Sequence, residues 1–114
     1  MKLNSVIFHT SKLSEIREFY EGKLSLPTGT YVRENETLPD YSDSYVNYYV
    51  DGGLLCFEEE LGRTDIGTIV LAVKDVASLR ARIDEMKIPV ISGNANFFKI
   101  KDPDGRYLII EPSN

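Results

Sequence analysis

The feature of this sequence that most limits its fold is an internal repeat. The segment VIFHTSKLSEIR, starting at Val6, aligns with IVLAVKDVASLR, starting at Ile69, at a constant offset of 63 residues. The segments DGGLLCFE from Asp51 and DGRYLIIE from Asp104 align at an offset of 53 residues. Two such matches in 114 residues predict two similar halves, 1–62 and 63–114, within a single domain.

The first half has the pattern of a strand, a helix and further strands. Leu13, Ile16, Phe19 and Tyr20 recur at helical spacing, and Ser11 or Ser14 is expected to cap that helix. The other predicted elements are strands at Leu3–His9, Thr30–Arg33, Tyr45–Val50 and Leu54–Glu59, a polar loop at Asn35–Ser44 and a turn at Asp51-Gly52. The ten-residue difference between the two offsets is assigned to that polar loop.

The second half repeats this order. A β-branched strand at Thr68–Val73 precedes a helical pattern that ends before Pro89. Strands at Asn96–Lys101 and Arg106–Glu111 follow, joined by an Asp-Pro-Asp-Gly turn. The pattern predicts an α+β fold in which two βαβββ modules form a curved mixed or antiparallel sheet with helices on its outer face.

Side chains alternate across a strand, so each strand has two faces. A two-residue turn fixes the facing pairs of the hairpin as Tyr49 with Leu54, Tyr48 with Leu55, Asn47 with Cys56, and Tyr45 with Glu58. One face is apolar and suits covering by helices: Val46, Tyr48, Val50, Leu55 and Phe57, then Ile69, Leu71, Val73, Leu108 and Ile110. The opposite face carries the predicted ligand-binding residues Ser5, Ile7, His9, Tyr45, Asn47, Tyr49, Cys56, Glu58, Thr68, Tyr107 and Glu111. Solvation or dimerisation of this face is the alternative.

The sequence resembles the vicinal oxygen chelate superfamily in three features. These are the paired halves, Phe19-Tyr20 in the first helix, and the segment DPDGRYLIIEP from Asp102 to Pro112. The resemblance covers nearly the whole chain and implies the glyoxalase and bleomycin-resistance fold. That superfamily includes glyoxalase I, extradiol dioxygenases, fosfomycin-modifying enzymes and metal-free bleomycin-binding proteins. The fold alone therefore does not decide the function.

In the enzymes of this superfamily, His, Gln or Glu on the first and last strands of the halves hold a metal. The resemblance maps those positions to Ser5, Cys56, Thr68 and Ile109 of this chain. None of them is a histidine or a carboxylate, and the isoleucine has no donor atom. We therefore expect no bound metal at these positions and no other cofactor.

Three other residues on this face are candidates for catalysis. His9 is the only histidine, and the resemblance places it where glyoxalase I has a substrate-binding arginine. Glu58 and Glu111 are equivalent through the repeat and lie two residues beyond the missing ligands. With His9 they could act as acid and base or hold a displaced metal. The alternative is an ordinary, partly buried histidine with solvated carboxylates, and Cys56 is interpreted as a small core hydrophobe.

The amino-acid composition limits the classes of binding partner and the cellular compartment that we expect for this protein. A net charge of −5 and a pI near 4.8 argue against a nucleic-acid or anionic-membrane partner. The polar run from His9 to Lys12 interrupts the N-terminal apolar stretch before a signal peptide can form, and a single cysteine cannot form an internal disulfide. We expect a cytoplasmic protein.

Three functions compete. The leading hypothesis is a metal-free protein that sequesters a small molecule in a cleft, as in the bleomycin-resistance branch. The alternative is a glyoxalase-like lyase or isomerase, or a dioxygenase-related enzyme, using His9 with Glu58 or Glu111 either without a metal or around a displaced one. The third hypothesis is a domain that has lost its ligand site and functions only through contacts with a partner. Superfamily members complete their clefts by pairing halves, so a homodimer is expected.

Overall fold

The computed structural model describes residues 1, 3–50 and 53–113. The chain divides into two compact units, Met1–Asp65 and Ile66–Asn114. The predicted Asp51-Gly52 turn lies outside the described residues. Within them, no helix is both long enough and apolar enough to cross a membrane.

The first unit begins with strand β1 (Ser5–Thr10) and helix α1 (Leu13–Arg17), which continues as π-helical turns over Glu18–Lys23. The later strands are β2 (Thr30–Arg33), β3 (Glu36–Pro39), β4 (Tyr45–Val50) and β5 (Gly53–Glu59). One sheet has the order β1-β5-β4, with β1 parallel and β4 antiparallel to β5. Strands β2 and β3 form a separate antiparallel hairpin.

The second unit contains β6 (Thr68–Val73), α2 (Val76–Glu85), β7 (Ser92–Gly93), β8 (Phe98–Lys101) and β9 (Tyr107–Pro112). Its sheet has the order β6-β9-β8-β7. The bounds of β6 agree with the prediction, and β8 begins two residues later than predicted. The short strand β7 has no counterpart among the predicted elements, because two residues carry no periodicity to detect.

The two units share one topology, in which the first strand pairs in parallel with the last. Ser5 lies opposite Leu54 in β1 and β5, and Thr68 lies opposite Tyr107 in β6 and β9. The offsets of 63 and 53 residues relate these two pairs, so the repeat extends to the register of the sheets. The predicted α+β fold of two βαβββ-type modules is confirmed.

In the first unit the helical segment supplies an apolar stripe to the core. Leu13, Ile16, Phe19 and Tyr20 are all buried, as their spacing predicts. Tyr20 packs against Phe57 of β5 with ring centroids 4.8 Å apart. The predicted apolar face contributes Val46, Tyr48, Leu55 and Phe57 to the core of this unit, and Ile69, Leu108 and Ile110 to the core of the second.

Each helical segment contains an ion pair, and the two pairs occupy equivalent positions in the repeat. Arg17 Nε lies 2.7 Å from Glu21 Oε1, and Arg80 Nε lies 3.1 Å from Asp84 Oδ1. Both pairs have i, i+4 spacing, which places the two side chains on one side of a helix. The buried Tyr48 hydroxyl also donates to Glu21 Oε1 at 3.0 Å, which ties the first helical segment to β4.

A fully buried arginine organises the turn before β9. Arg106 Nη1 donates to Asp102 Oδ2 at 3.1 Å and to Asp104 Oδ2 at 2.8 Å. Asp102 Oδ1 also accepts the backbone N–H groups of Asp104 and Arg106. Gly105 has a φ of 89°, a left-handed conformation that glycine adopts without steric cost. The sequence therefore predicts this turn correctly, and the arginine stabilises it.

The start of α1 differs from the prediction. Neither Ser11 nor Ser14 is the cap, because Lys12 occupies the N-cap and makes no side-chain capping bond. Thr10 Oγ1 instead accepts the backbone N–H of Lys12 at 3.1 Å. In α2, Asp75 is the N-cap and accepts the Ser78 N–H at 3.0 Å.

The polar segment Asn35–Ser44, predicted to be a loop, contains β3. The chain reverses at Glu34 and Asn35, whose φ values of 51° and 67° are those of a type I′ hairpin turn. Glu-Asn is a weak sequence signal for this turn, because residues other than glycine rarely adopt positive φ at both positions. The hairpin fills residues 30–39, the length by which the offsets of 63 and 53 differ. The insertion in the first half is therefore a β-hairpin.

Candidate functional site

The sheet of the first unit places eight of the predicted ligand-binding residues on one face. We call this the first inner face. The predicted register of β4 and β5 is confirmed, and β1 joins it in parallel. Residues directly opposite each other on paired strands point to the same side. The face therefore has three rows: Ser5, Leu54 and Tyr49; then Ile7, Cys56 and Asn47; then His9, Glu58 and Tyr45.

The other predicted residues lie on the sheet of the second unit, on what we call the second inner face. Thr68 lies opposite Tyr107, and Glu111 lies opposite Ala72. The structure thus gathers the predicted residues into two groups, one on each sheet. His9 and Glu58 belong to the first group, and Glu111 belongs to the second.

His9 lies at the end of β1 with a carboxylate near each ring nitrogen. Its Nδ1 is 2.8 Å from Asp65 Oδ2, and its Nε2 is 3.4 Å from Glu58 Oε2 and 4.0 Å from Glu60 Oε2. Because an ionised carboxylate only accepts hydrogen bonds, Nδ1 is the donor to Asp65. The backbone N–H of His9 also donates to Asp65 Oδ2 at 2.8 Å. These bonds fix the ring and point Nε2 at Glu58.

Asp65 is the residue of this cluster with the strongest electrostatic perturbation. The backbone N–H and the ring of His9 lower the pKa of its carboxyl to about 2, with a smaller contribution from Arg63, while burial opposes the shift. Arg63 Nε lies 3.2 Å from Asp65 Oδ1, and Arg63 Nη1 lies 3.2 Å from Glu60 Oε2. Asp65 is therefore an ionised anchor for His9 over the physiological pH range.

The sequence interpretation missed Asp65 because it is 56 residues from its partner. Residues 58–60 form a run of three glutamates at the end of β5, and this run is the only signal near it in sequence. The parallel pairing of β1 with β5 brings that run beside His9.

Asp40 is a second missed residue, and it is almost fully buried. Its Oδ1 accepts a long hydrogen bond of 3.4 Å from Asn47 Nδ2, which places the carboxylate next to the middle row of the first inner face. Its Oδ2 makes no hydrogen bond among the described residues. A buried carboxylate oxygen without a partner is costly. Asp40 therefore acts on the face through its charge, because a ligand on the surface cannot reach this oxygen.

Two tyrosines join the first inner face to the inserted hairpin. Tyr45 donates to the carbonyl of Pro39 at 3.4 Å, and Tyr49 donates to the carbonyl of Thr30 at 3.3 Å. Both carbonyls belong to the base of the hairpin. The rings of the two tyrosines are therefore held at the edge of the sheet with part of their surface exposed.

The residues at the superfamily's metal positions do not fit a divalent ion. Ile109 has no donor atom, and Ser5 and Thr68 offer neutral hydroxyls. Cys56 would have to lose its proton to bind a metal, but burial, with smaller contributions from Glu58 and Asp40, raises the pKa of its thiol. Across the described residues, no three His, Cys, Asp or Glu side chains form a group able to hold an ion.

Solved structures of other proteins share this architecture. Lactoylglutathione lyase from Agrobacterium tumefaciens matches with a TM-score of 0.69 at 14% identity, over 97% of this chain and 92% of that one. Trypanothione-dependent glyoxalase I from Leishmania major matches with a TM-score of 0.69 at 18% identity, over 98% and 86%. A glyoxalase/dioxygenase from Nostoc punctiforme matches with a TM-score of 0.74 at 17% identity, over 98% and 92%. This chain has the glyoxalase-type fold.

The likeness confirms the resemblance to the vicinal oxygen chelate superfamily at the level of fold. No protein-family model matches the sequence, and no curated protein matches it significantly. Proteins of the glyoxalase-type fold differ in activity, so the function has to be inferred from the side chains of the site.

Proposed function

We propose that this protein binds a small organic molecule on its first inner face, without a metal ion and without altering the ligand. This mode of action resembles that of the bleomycin-resistance branch of the superfamily. The proposal rests on the composition of the three rows, which combine apolar and aromatic surface with one carboxylate, Glu58.

Exposed apolar surface supports this proposal. Ile7 is 48% exposed and Tyr49 is 39% exposed, although both lie within a paired sheet. Aromatic and apolar side chains beside a few directed polar groups are typical of small-molecule sites. Glu58 and Asp40 add negative charge to the same face. The preferred ligand is therefore aromatic or glycosidic and carries a positive charge.

A metal-independent lyase or isomerase is the second candidate, favoured by the bond of 2.8 Å between His9 and Asp65. A histidine oriented by a carboxylate is the usual arrangement of a general base. In this enzyme His9 would remove a proton and Glu58 would return one. The contact of 3.4 Å between Nε2 and Glu58 argues against it, because Nε2 would have to face the substrate.

Calorimetric titration and thermal-shift assays with cationic glycopeptides, aromatic amines and uncharged aromatic analogues test the proposal. We expect Glu58→Gln to weaken binding of a cationic ligand about tenfold, the loss of one charge-assisted hydrogen bond. Glu59→Gln is the matched control, because Glu59 alternates to the opposite face of β5. A screen without any binder would refute the proposal.

Mass spectrometry of the bound compound separates the two candidates. A binding protein returns its ligand unchanged, whereas an enzyme releases a product. Turnover that disappears in His9→Ala but survives in Lys12→Ala would establish the second candidate instead.

We also propose a cytoplasmic homodimer, because the single cysteine offers no internal disulfide and because superfamily members pair their halves. Sedimentation equilibrium of untagged protein tests the assembly. A monomer at micromolar concentration would contradict it.

A further inference from the structure

Two lysines stand on the second inner face. In β8, Lys99 lies opposite Ile109 and Lys101 lies opposite Tyr107 of β9. Residues two apart on a strand point to the same side, so both lysines share the face of Thr68 and Tyr107. The sequence interpretation did not include either lysine among the site residues.

The ring of Tyr107 holds both ammonium groups close to it. Lys99 Nζ lies 5.0 Å from the ring centroid, and Lys101 Nζ lies 5.3 Å from it. Cation–π attraction at such distances favours this position of the two ammonium groups. The ring is 38% exposed, so a molecule in solution can reach the pair.

Among the described residues, neither lysine is neutralised by a neighbour, because no carboxylate lies within ion-pair distance of Lys99 or Lys101. The two ammonium groups lie against one ring, so they leave a local excess of positive charge there. A bound anion would relieve their mutual repulsion.

The two lysines have no lysine counterpart in the first unit. The position of Lys101, opposite Tyr107, corresponds to that of Tyr49, opposite Leu54. The position of Lys99, opposite Ile109, corresponds to that of Asn47, opposite Cys56. Both are uncharged. Within the described strands, each inner face has one carboxylate, Glu58 or Glu111, but only the second face adds two lysines.

We propose that Lys99 and Lys101 bind the head group of a small organic anion, a carboxylate or a phosphate. The apolar part of the ligand lies on Val70 and Ile109, which face each other in the row next to Tyr107. Val70 is 53% exposed, although it is a β-branched residue in the middle of a strand. This site goes beyond the proposed function, because it lies on the other sheet and selects the opposite charge.

Benzoate and phenyl phosphate are suitable probes, with benzamide as the uncharged match and inorganic phosphate as the head group alone. Binding is measured by calorimetry at two salt concentrations and located by amide chemical shifts. We expect both organic anions to bind with an affinity that falls with salt, and to shift residues of β8 and β9. We expect benzamide and inorganic phosphate to bind at least tenfold more weakly.

The double variant Lys99→Gln with Lys101→Gln should reduce the affinity for the organic anions at least tenfold, as expected when charge-assisted bonds are lost. The control is Lys74→Gln with Lys87→Gln, two exposed lysines of the same unit whose loss changes the net charge equally. Equal binding by the two double variants, shifts confined to other strands, or no binding of either organic anion would each overturn the proposal.

The variants also separate this site from the first inner face. Glu58→Gln should leave anion binding unchanged. Lys99→Gln with Lys101→Gln should leave binding of a cationic ligand unchanged. Either proposal can therefore fail while the other stands.

Discussion

The surroundings of His9 decide what this side chain can do. A general base needs one ring nitrogen open towards the substrate, but carboxylates lie within 3.4 Å of both nitrogens of His9. When the ring is protonated, both nitrogens donate, and His9 links Asp65 to Glu58 across the end of the sheet. At the scale of single residues, the geometry thus favours an anchoring role over catalysis.

Asp65→Asn tests this anchor. The pKa of Asp65 is about 2 in the folded protein, against 3.8 for an unperturbed aspartate, so ionisation of this group stabilises the fold. That contribution is complete above about pH 4 and is lost as the pH falls through 4 to 2. We expect the variant to unfold more readily than the parent at pH 7, and the difference to vanish near pH 2. Denaturant unfolding across this range measures it.

Asp43→Asn is the control for that experiment, because Asp43 is exposed and lies outside the cluster. Its stability difference from the parent should be small and constant with pH. A destabilisation of Asp65→Asn that persists unchanged to pH 2 would show that the lost interaction does not depend on the ionised carboxylate.

Tyr48→Phe removes a single hydroxyl from the interior. Burial, with nearby Glu21, raises the pKa of Tyr48, so the hydroxyl keeps its proton and donates to Glu21. Loss of this bond should lower the free energy of unfolding by about 1 kcal/mol. Tyr49→Phe is the control, because its hydroxyl bond of 3.3 Å is exposed. Equal effects in the two variants would contradict the assignment.

At the scale of elements, periodicity and the repeat predict most of the fold. The apolar stripe of the first helical segment follows from the spacing of its residues. The register of β4 with β5 follows from the two-residue turn predicted between them. Strand β2 is predicted with its observed bounds. Its turn and its partner strand β3 are missed because the Glu34-Asn35 turn lacks glycine and β3 is only four residues long. The start of α1 is predicted wrongly, because the hydroxyl of Thr10, and not that of Ser11 or Ser14, accepts the backbone N–H of Lys12.

The inserted hairpin should be dispensable for folding. Its ends are already adjacent, since the Asp40 N–H donates to the Gly29 carbonyl at 3.0 Å. We expect replacement of residues 30–39 by an Asn-Gly turn to preserve the β1-β5-β4 sheet and to change the free energy of unfolding by no more than about 1 kcal/mol, because shortening a loop costs little. Circular dichroism and thermal unfolding measure the outcome. An unfolded product would mean that the hairpin is part of the core.

At the scale of the whole molecule, side-chain alternation predicts which residues line each face but not the charge of its surroundings. The rows of the first inner face follow from the strands. Asp40 and Asp65 lie in segments outside the paired strands. Their positions therefore depend on the three-dimensional path of those segments, which side-chain alternation does not predict. Lys99 and Lys101 lie on a predicted strand, and they are missed because an exposed lysine on a strand is ordinary until its neighbours are known.

The expected metal content of the molecule follows from the donor atoms at the superfamily's metal positions. Because Ile109 has no donor and the pKa of the Cys56 thiol is raised, untagged protein purified without chelators should contain less than one tenth of a divalent ion per chain, on the order expected for adventitious binding. Its melting temperature and its affinity for either class of ligand should be the same before and after treatment with EDTA and removal of the chelator. Elemental analysis, thermal unfolding and calorimetry measure these quantities. One ion per chain, or ligand binding lost after this treatment, would require a ligand set formed by donors other than these residues and would move the function towards the metal enzymes of this fold.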